Sequence, residues 1–567
     1  MSAPRREGVS DVAALIAIGS IAAVASALWL WGALAGALFG SGWPRVGVEQ
    51  LLGIVIRLPS RLADPAGAWP PIARSRLPGA EGFYAALAML ASTGGMLALV
   101  LARTARGPLL RIGGDGARWA RSGELRSLRL TARSRRTGRL VLGRRGARLL
   151  YAEHRHALVA FGPPQSGKSA GIAIPALLDW NGPAVACSIK TDLLAATVAR
   201  RRALGEVLVF DPFGLAPQTT SHTWSPLYAA STWDGALEVA WRLAAAAEID
   251  RRGVEGGEFW AVAAEQRLAP LLYAAAAGGG GMDSVVRWAY GQGTRELHET
   301  IMRISGEAGE DAGLADAHAA YDAVRAFEAQ ADRTRTSIEA TAQTLLRAYR
   351  FQRVMRSAAS SEITADRLLD GAATLYLIGD AKASKLLRPL FLTLLGEVVD
   401  RAYERATLAG GRLERPLLLC LDEAGNVAPL PNLAEIASTA PSHNIQLVTI
   451  FHDLAQARSR YGQTAETVVN SHRARMLLPG VADLDTLRYF AGLAGDEEAH
   501  DRTHTTGSGG STRSTSRRRR PLIAPEALRQ LPDGHALLLY GRIAPTRLRL
   551  RLWFDDRRLR RLAKGAQ

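Results

Sequence analysis

The sequence predicts a three-layer α/β domain that is interrupted by an all-helical segment and preceded by two transmembrane helices. Three observations support this prediction. Two long uncharged apolar stretches lie near the N-terminus, short apolar runs alternate with helical stretches from residue 138 onward, and residues 228–350 show helical periodicity with almost no strand signal. With 567 residues, 48% of them hydrophobic, the chain is long enough for several domains with buried cores.

Charge and cysteine content narrow the class of protein. The chain has 70 Lys and Arg against 53 Asp and Glu, a formal net charge of +17, and only five lysines, so the basic excess is almost entirely arginine. Such a balance favours polyanionic partners. The two cysteines, Cys187 and Cys420, are too few for a disulfide scaffold or a Cys-rich metal module. Both lie in apolar runs that we expect to be neighbouring buried strands.

Two uncharged stretches, residues 12–39 and 82–102, predict transmembrane helices and define residues 1–102 as a membrane domain with an external loop. At 1.5 Å per residue, the second stretch spans about 31 Å, close to the roughly 30 Å apolar thickness of a bilayer. The alternative is a signal peptide followed by a buried helix. The first stretch is longer than a typical signal-peptide apolar region and lacks a persuasive cleavage site.

The distribution of arginine predicts the orientation in the membrane. Residues 103–148 contain 14 Arg and two acidic residues, whereas the connecting loop 45–81 contains five Arg and three acidic residues. By the positive-inside rule, both termini and the large body lie in the cytoplasm, and the protein is a multi-pass protein of the cytoplasmic (inner) membrane. Residues 103–137 form a basic juxtamembrane segment, which serves only as a topology signal or also contacts anionic lipid.

Short apolar runs separated by helical stretches predict a parallel α/β domain in two parts, residues 138–227 and 351–567, on either side of an all-helical insertion over 228–350. Residues 503–520 are rich in Gly, Ser, Thr and Arg and predict a flexible basic loop, either a solvated insert or a contact for nucleic acid or an acidic partner. The predicted strands are 139–142, 147–151, 156–161, 184–189, 206–210, 373–378, 416–421, 445–451, 475–478, 535–540 and 547–554.

The third of these strands runs into the sequence GPPQSGKS, which fits the phosphate-binding pattern G-x-x-x-x-G-K-S/T. Gly162 and Gly167 allow backbone N–H groups to face phosphate oxygens at the N-terminus of the next helix, whose interior Pro175 should kink it. We expect Lys168 to reach the β- and γ-phosphates and the Ser169 hydroxyl to bind Mg²⁺. The predicted nucleotide-binding residues are Gly162, Pro163, Pro164, Gln165, Ser166, Gly167, Lys168, Ser169, Ala170 and Asp422.

A second motif, PLLLCLDEAGN, places two carboxylates at the end of an apolar strand. We expect Asp422 to hold a hydrated Mg²⁺ together with Ser169, and Glu423 to orient or deprotonate the attacking water. The next strand ends at His452, a candidate sensor of the γ-phosphate; the alternative is a histidine that merely caps the strand. The predicted cofactors are ATP and Mg²⁺, and the predicted catalytic residues are Lys168, Glu423 and His452.

These motifs, in this order, resemble the coupling proteins of type IV secretion and conjugative transfer, a TraG-like group of FtsK/HerA-type ATPases with a RecA/FtsK-like P-loop domain. The resemblance rests on GPPQSGKSAGIAIPALLDW, SIKTDLLAATVARR, VFDPFG, LLLCLDEAGNVAPLPNL and PEALRQLPDGHALLLYG, and it covers roughly residues 138–555 together with the membrane topology. It implies that Gly162–Ser169 bind nucleotide, that Asp422 supports Mg²⁺ and that Glu423 is catalytic.

The resemblance also implies a homohexameric ring at the inner face of the membrane that uses ATP hydrolysis to deliver substrates to a type IV secretion channel. Its implied partners are single-stranded DNA bound without sequence preference, a relaxase attached to that DNA or a secreted protein, and the channel components. The insertion at 228–350 would face the cytoplasm and select the substrates.

Two other functions stay open from the sequence. The first is an FtsK-type DNA translocase in chromosome segregation, although such proteins usually carry more membrane helices. The second is a weakly hydrolysing docking receptor, against which the intact Lys168 and the Asp422-Glu423 pair argue. Two positions depart from the family pattern: many relatives have Gln where this chain has His452, and residues 439–444 lack an arginine that some relatives carry.

Overall fold

The structure is a computed structural model that describes residues 26–104, 116–130, 138–250, 257–309, 312–507 and 510–565. The chain divides into two compact units, Met1–Gly114 and Asp115–Gln567. In the described residues, the first unit is helical and the second contains all of the β-strands.

The first unit holds a small aromatic core. Trp31 is buried and meets both Trp69 and Phe83 edge to face, and its indole Nε1 donates a hydrogen bond of 2.6 Å to the Phe83 carbonyl. Its helices are α1 (described residues 26–39), α2 (Val48–Arg57), α3 (Pro71–Arg74) and α4 (Ala80–Thr104).

The predicted membrane spans, 12–39 and 82–102, are only partly covered by the structure. Residues 12–25 and the side chains of residues 97–102 lie outside the described residues. Across the helices that the structure describes, none combines the length and the apolar character that a membrane crossing requires. The two spans stay a prediction from the sequence.

The second unit is built on an 11-stranded mixed sheet with an additional two-stranded ribbon. The strands are β1 (Val141–Arg145), β2 (Arg148–Tyr151), β3 (Leu158–Phe161), β4 (Ala184–Ser188), β5 (Val207–Phe210), β6 (Thr374–Ile378), β7 (Leu417–Leu421), β8 (Ile445–Phe451), β9 (Ala474–Leu477), β10 (Asp496–Gly507), β11 (Gly510–Pro521), β12 (His535–Tyr540) and β13 (Ile543–Arg549). The order in the large sheet is β2-β1-β13-β12-β9-β3-β8-β7-β4-β6-β5.

The sheet is parallel only in part. The seven strands from β9 to β5 run parallel, whereas β12, β13, β1 and β2 pair antiparallel. The prediction of a parallel sheet is therefore wrong at this edge. Only residues 541–542 separate β12 from β13, which is too short for the crossover that a parallel pair needs, so the chain turns back as a hairpin. For the same reason the last strand is Ile543–Arg549 and not 547–554.

Helices cover both faces of the sheet. Successive side chains of a strand point to opposite faces, so Leu158 and Ala160 of β3 enter one core and Val159 and Phe161 enter the other. Helices α5 (Ile174–Asp179), α6 (Asp192–Leu204) and α21 (Arg557–Ala563) pack on the first face. The second face is covered by α7 (Trp233–Asp250), α8 (Gly257–Ala277), α9 (Met282–Ala289), α10 (Thr294–Glu307), α11 (Ala312–Glu328), α12 (Asp332–Leu345), α13 (Gln352–Ser357), α14 (Ala365–Leu369), α15 (Ala381–Leu408), α16 (Leu433–Thr439), α17 (Leu454–Tyr461), α18 (Ala465–Ser471), α19 (Leu484–Ala494) and α20 (Pro525–Arg529).

The segment predicted as an all-helical insertion, 228–350, contains helices α7 to α12 and no strand in its described residues. Its apolar side chains join the core of the sheet: Leu268 of α8 and Ile301 of α10 belong to the same buried cluster as Phe210 of β5. This segment therefore contributes to the layer on the second face of the sheet, and its burial stabilises the sheet as well as the helices.

The described part of the predicted juxtamembrane segment packs on the second unit. The Ala120 N–H donates to the Pro545 carbonyl at 2.9 Å, and the side chains of Leu125 and Leu128 are fully buried against the sheet. The second unit therefore begins before residue 138, the boundary that the sequence predicts.

The flexible loop predicted at 503–520 is instead part of an antiparallel ribbon of β10 and β11. Residue pairing runs from Asp496 opposite Pro521 to Gly507 opposite Gly510. The ribbon is held by backbone hydrogen bonds between its strands, and its Thr residues favour the extended conformation. A prediction that depends on apolar alternation does not detect such a polar ribbon.

Candidate nucleotide-binding site

The loop Gly162–Ser169 follows the central strand β3 and is held against the neighbouring strand, because the Gly162 N–H donates to the Phe451 carbonyl at 3.1 Å. A Cβ at Gly162 would collide with the Ser166 hydroxyl, and Gly167 adopts a left-handed φ of +86°. Gly167 is therefore favoured by its backbone conformation, and Gly162 by the close packing of the Ser166 and Leu478 side chains. This conformation suits a loop whose N–H groups surround a phosphate.

The loop leads into a π-helical turn, Ser169–Ala173, and then into α5. The Ile174 N–H donates to the Ser169 carbonyl five residues earlier, and the next residue, Pro175, has no N–H to donate. The Ala170 carbonyl therefore receives no bond from its own helix. It accepts instead from the Trp553 N–H at 3.1 Å. Pro175 thus marks a change of helix type, which frees one carbonyl for a distant segment.

Lys168 is almost fully buried within the loop. Its Nζ donates to the Gly162 carbonyl at 3.1 Å and lies 2.7 Å from Nδ1 of His452. Burial lowers the pKa of the ammonium group, while the negative charges of Glu423 and Asp422 act in the opposite direction.

Asp422, which follows β7, is 3% exposed and lies against the phosphate loop. The Ser169 hydroxyl donates to its Oδ2 at 2.7 Å, whereas Oδ1 has no hydrogen-bond partner in the part of the chain that the structure describes. Burial is the main cause that raises the pKa of this carboxyl to about 6. A buried carboxylate with one unpaired oxygen beside a hydroxyl fits a hydrated Mg²⁺, which prefers oxygen ligands.

Glu423 occupies a strained backbone position directly after Asp422. Its φ is +62°, in the left-handed region that residues with a Cβ rarely adopt. The Asn426 side chain donates to its Oε2 at 3.3 Å. Such strain concentrates at functional sites, and here it accompanies a carboxylate that borders the nucleotide pocket.

These groups border one cavity of about 420 Å³, within the usual range for small-molecule sites. Sequence reasoning did not assign several of its lining residues. Lys190 and Asp192 follow β4; the scarcity of lysine singles out Lys190 in the sequence, but no motif assigns it a role. Four further lining residues come from the C-terminal region, from Asp533 onward. The unassigned lining residues are Ser188, Ile189, Lys190, Asp192, Asp533, Gly534, Leu552 and Phe554.

Of the residues predicted for this site, Pro164 to Ala170, Asp422 and Glu423 all border the cavity. The predicted residues Gly162, Pro163 and His452 are not among the lining residues, although Gly162 and His452 each contact the Lys168 ammonium. Fold and geometry together define a P-loop α/β nucleotide-binding protein. The sequence family described as "Type IV secretory system Conjugative DNA transfer" matches residues 118–565, and the chain belongs to this family.

Individual relatives agree with this assignment. Conjugal transfer protein TraG of Escherichia coli is 23% identical over 496 residues, covering 79% of this chain and 76% of TraG. Protein VirD4 of Agrobacterium fabrum is 24% identical over 472 residues, covering 79% of this chain and 66% of VirD4.

Solved structures of the plasmid coupling protein TrwB share the fold. TrwB in complex with ADP and Mg²⁺ has a TM-score of 0.55 at 17% identity, covering 77% of this chain and 94% of TrwB. TrwB in complex with a non-hydrolysable ATP analogue has the same score and identity, covering 79% and 96%. At this level of identity, the likeness establishes the α/β nucleotide-binding fold with its large mixed sheet.

Proposed function

We propose that this chain is a membrane-anchored ATPase that couples a substrate, either a DNA–relaxase complex or a secreted protein, to a type IV secretion channel. The observation that carries the proposal is the contact of Ser169 with the buried Asp422 beside Lys168, in a chain of the conjugative DNA transfer family. The names of TraG and VirD4 relatives and the nucleotide complexes of TrwB support the same function.

We infer a role for each side chain from its position at the site. Lys168 neutralises the terminal phosphates, and Ser169 and Asp422 provide oxygen ligands for Mg²⁺. When bound, Mg²⁺ offsets the negative charge that develops on the phosphates. Glu423 takes the proton of the attacking water, and His452 and the Gly162 carbonyl together hold the Lys168 ammonium.

The cargo and the assembly are inferred from charge and family. A net charge of +17 suits a protein that contacts phosphate backbones without reading bases. We infer single-stranded DNA, with its relaxase, as the first cargo to test and a secreted protein as the second. A homohexameric ring docked on the channel components would surround the cargo, and contacts between subunits would complete the nucleotide sites.

The decisive experiment is the ATPase activity of the purified full-length protein with and without single- and double-stranded DNA. Activity that depends on Mg²⁺, rises with DNA and is lost in Lys168→Ala supports the proposal. Lys385→Ala, which removes an exposed lysine of α15, is the matched control and should behave as the parent protein. A full-length protein without ATPase activity under any of these conditions would leave only the docking-receptor function.

The membrane anchor is tested separately. The arginine excess at 103–148 predicts that a reporter fused after Ala102 reads cytoplasmic and one inserted near Pro65 reads external. Reversed readouts, or two cytoplasmic readouts, would contradict the proposed anchor and its orientation.

A further inference from the structure

The segment after β13 and the catalytic carboxylates after β7 reach the nucleotide pocket from opposite sides of β3 in the strand order. β12 pairs antiparallel with both β9 and β13, so β13 runs parallel to β9 and β3. The chain therefore leaves β13 at the same edge at which the phosphate loop leaves β3. In the strand order, β7 lies two positions from β3 on one side and β13 three positions on the other.

This segment is fixed against the phosphate loop by specific contacts. The Trp553 N–H donates to the Ala170 carbonyl, which the π-helical turn and Pro175 leave free. The Leu550 side chain lies 3.1 Å from the position that a Cβ would occupy at Gly171. The Leu552 side chain lies 3.6 Å from the position that a Cβ would occupy at Gly167. Because each small residue allows this close approach, Leu552 and the residues after it are positioned by the loop itself.

Phe554 lines the cavity and has 48% of its surface exposed. Leu552 also lines the cavity, beside Gly534 and its neighbour Asp533, whereas Lys190, Asp422 and Glu423 come from the segments that follow β4 and β7. A large aromatic side chain left half in water costs free energy unless something covers it. The lining therefore combines the charged residues that follow β4 and β7 with two apolar side chains from the segment after β13, and a nucleoside triphosphate offers both kinds of group.

The orientation of a bound nucleotide follows from the loop. Lys168 and Ser169 hold the β- and γ-phosphates beside Asp422, so the α-phosphate and the base extend away from β7, toward the segment after β13. We propose that Phe554, supported by Leu552, forms the subsite for the purine base and stacks on its face. This inference rests on the proposed nucleotide-dependent function and names the residues that hold the part of the nucleotide that does not react.

The test compares two probes on the full-length protein, MgATP and Mg-tripolyphosphate, which keeps the phosphates and lacks the base. Phe554→Ala should weaken ATP binding about 3- to 10-fold, the range expected for one aromatic stacking contact, and should leave tripolyphosphate binding unchanged. Phe554→Trp should retain ATP affinity, and its fluorescence should change with ATP but not with tripolyphosphate. Phe351→Ala is the matched control, since Phe351 is 47% exposed and lies outside the cavity.

Two outcomes would overturn the base subsite: unchanged ATP affinity in Phe554→Ala, or an equal loss of affinity for both probes, which would mean a structural role. Lys168→Ala separates this inference from the proposed function, because it should weaken both probes. If Lys168→Ala weakens both and Phe554→Ala weakens neither, the phosphate site stands and the subsite fails. If the parent protein binds neither probe, both proposals fail.

Discussion

Lys168 and His452 are 284 positions apart in the chain, yet Nζ of the lysine lies 2.7 Å from Nδ1 of the imidazole. The contact forms because β3 and β8 are adjacent parallel strands, so the residues that follow them meet at one edge of the sheet. The His452 N–H is in turn held by Gln456 Oε1 at 2.7 Å. The imidazole thus has a fixed position from which it orients the ammonium group.

Replacing His452 should slow turnover more than it weakens binding. His452→Ala removes the acceptor for Lys168, and we expect kcat for ATP hydrolysis to fall about 10-fold, equivalent to roughly 1.4 kcal/mol for one lost hydrogen bond to a charged group, with a smaller change in KM. His452→Gln should recover much of the activity, because a Gln oxygen can accept from the same ammonium. Steady-state kinetics of both variants test this, and equal kcat in His452→Ala and the parent protein would leave only a structural role for the imidazole.

Glu423→Gln should separate binding from hydrolysis. The amide cannot take a proton from water, while the phosphate contacts made by the loop remain, so kcat should fall at least about 100-fold with ATP affinity nearly unchanged. Binding is measured by calorimetry and turnover by phosphate release. Glu435→Gln, an exposed position on α16, is the control. Hydrolysis by Glu423→Gln at the parent rate would remove Glu423 from the role of base.

Most residues of the candidate site could be predicted because they belong to two short sequence motifs. The phosphate loop is contiguous, and Asp422 and Glu423 follow a strand that reads as fully apolar. A central parallel sheet also follows from alternating strand and helix. His452 could be proposed because it ends the next strand, although its contact with Lys168 depends on strand order, which no local pattern reveals.

What could not be predicted depends on long-range pairing. The antiparallel edge arises from a hairpin of β12 and β13, and only that pairing brings Leu552 and Phe554 to the nucleotide pocket. The ribbon of β10 and β11 has polar faces, so its order comes from backbone bonds that apolar periodicity does not report. The hydrogen bond from the Trp553 N–H to the Ala170 carbonyl of the π-helical turn likewise joins residues that are far apart in sequence.

Ser169→Ala should abolish the dependence of nucleotide affinity on Mg²⁺. The change removes a proposed metal ligand and also the only hydrogen bond to Asp422 Oδ2 seen in the described residues, so we expect a loss of about 1–2 kcal/mol of stability without nucleotide. Titrations of ATP with Mg²⁺ and with EDTA should then coincide, and thermal unfolding should report the lost stability. Ser438→Ala on α16 is the control. A variant that still binds ATP more tightly with Mg²⁺ would contradict the assignment.

Stability should depend on pH through His472. This imidazole is fully buried, donates from Nδ1 to the Val468 carbonyl at 2.8 Å and accepts from the Thr449 hydroxyl at 2.9 Å. Burial lowers its pKa to about 4 from the usual 6.5. Between these two pH values, the unfolded chain therefore binds more protons than the folded chain. The contribution of His472 to the free energy of unfolding is fully present above pH 6.5 and declines as the pH falls toward 4.

The measurement is thermal unfolding at pH 7.5 and pH 4.5 for the parent protein and His472→Asn. On acidification, the parent protein should lose about 2 kcal/mol more than the variant, because Asn has no charge to gain. The comparison between the two proteins cancels other titrating groups that they share. An identical loss of stability in both proteins would mean that the buried His472 does not cause the pH dependence.

DNA binding should be independent of sequence and strongly dependent on salt. Arg518 and Arg519 lie exposed on β11, and each phosphate contact contributes about 0.7 to the slope of log K against log salt for single strands. The double variant Arg518→Ala with Arg519→Ala should therefore reduce the slope by about 1.4. Arg333→Ala with Arg412→Ala removes two exposed arginines elsewhere and is the matched control.

The binding measurement uses oligonucleotides of unrelated sequence with the full-length protein at several salt concentrations. Equal affinity for unrelated sequences at each salt concentration is expected, since backbone contacts carry no sequence information. If both double variants lower the slope equally, the ribbon has no special role and the positive charge acts as a whole. If the parent protein does not bind at low salt, or binds with no dependence on salt, DNA is not its direct cargo. A secreted protein recognised by the helical segment 228–350 then becomes the substrate to test.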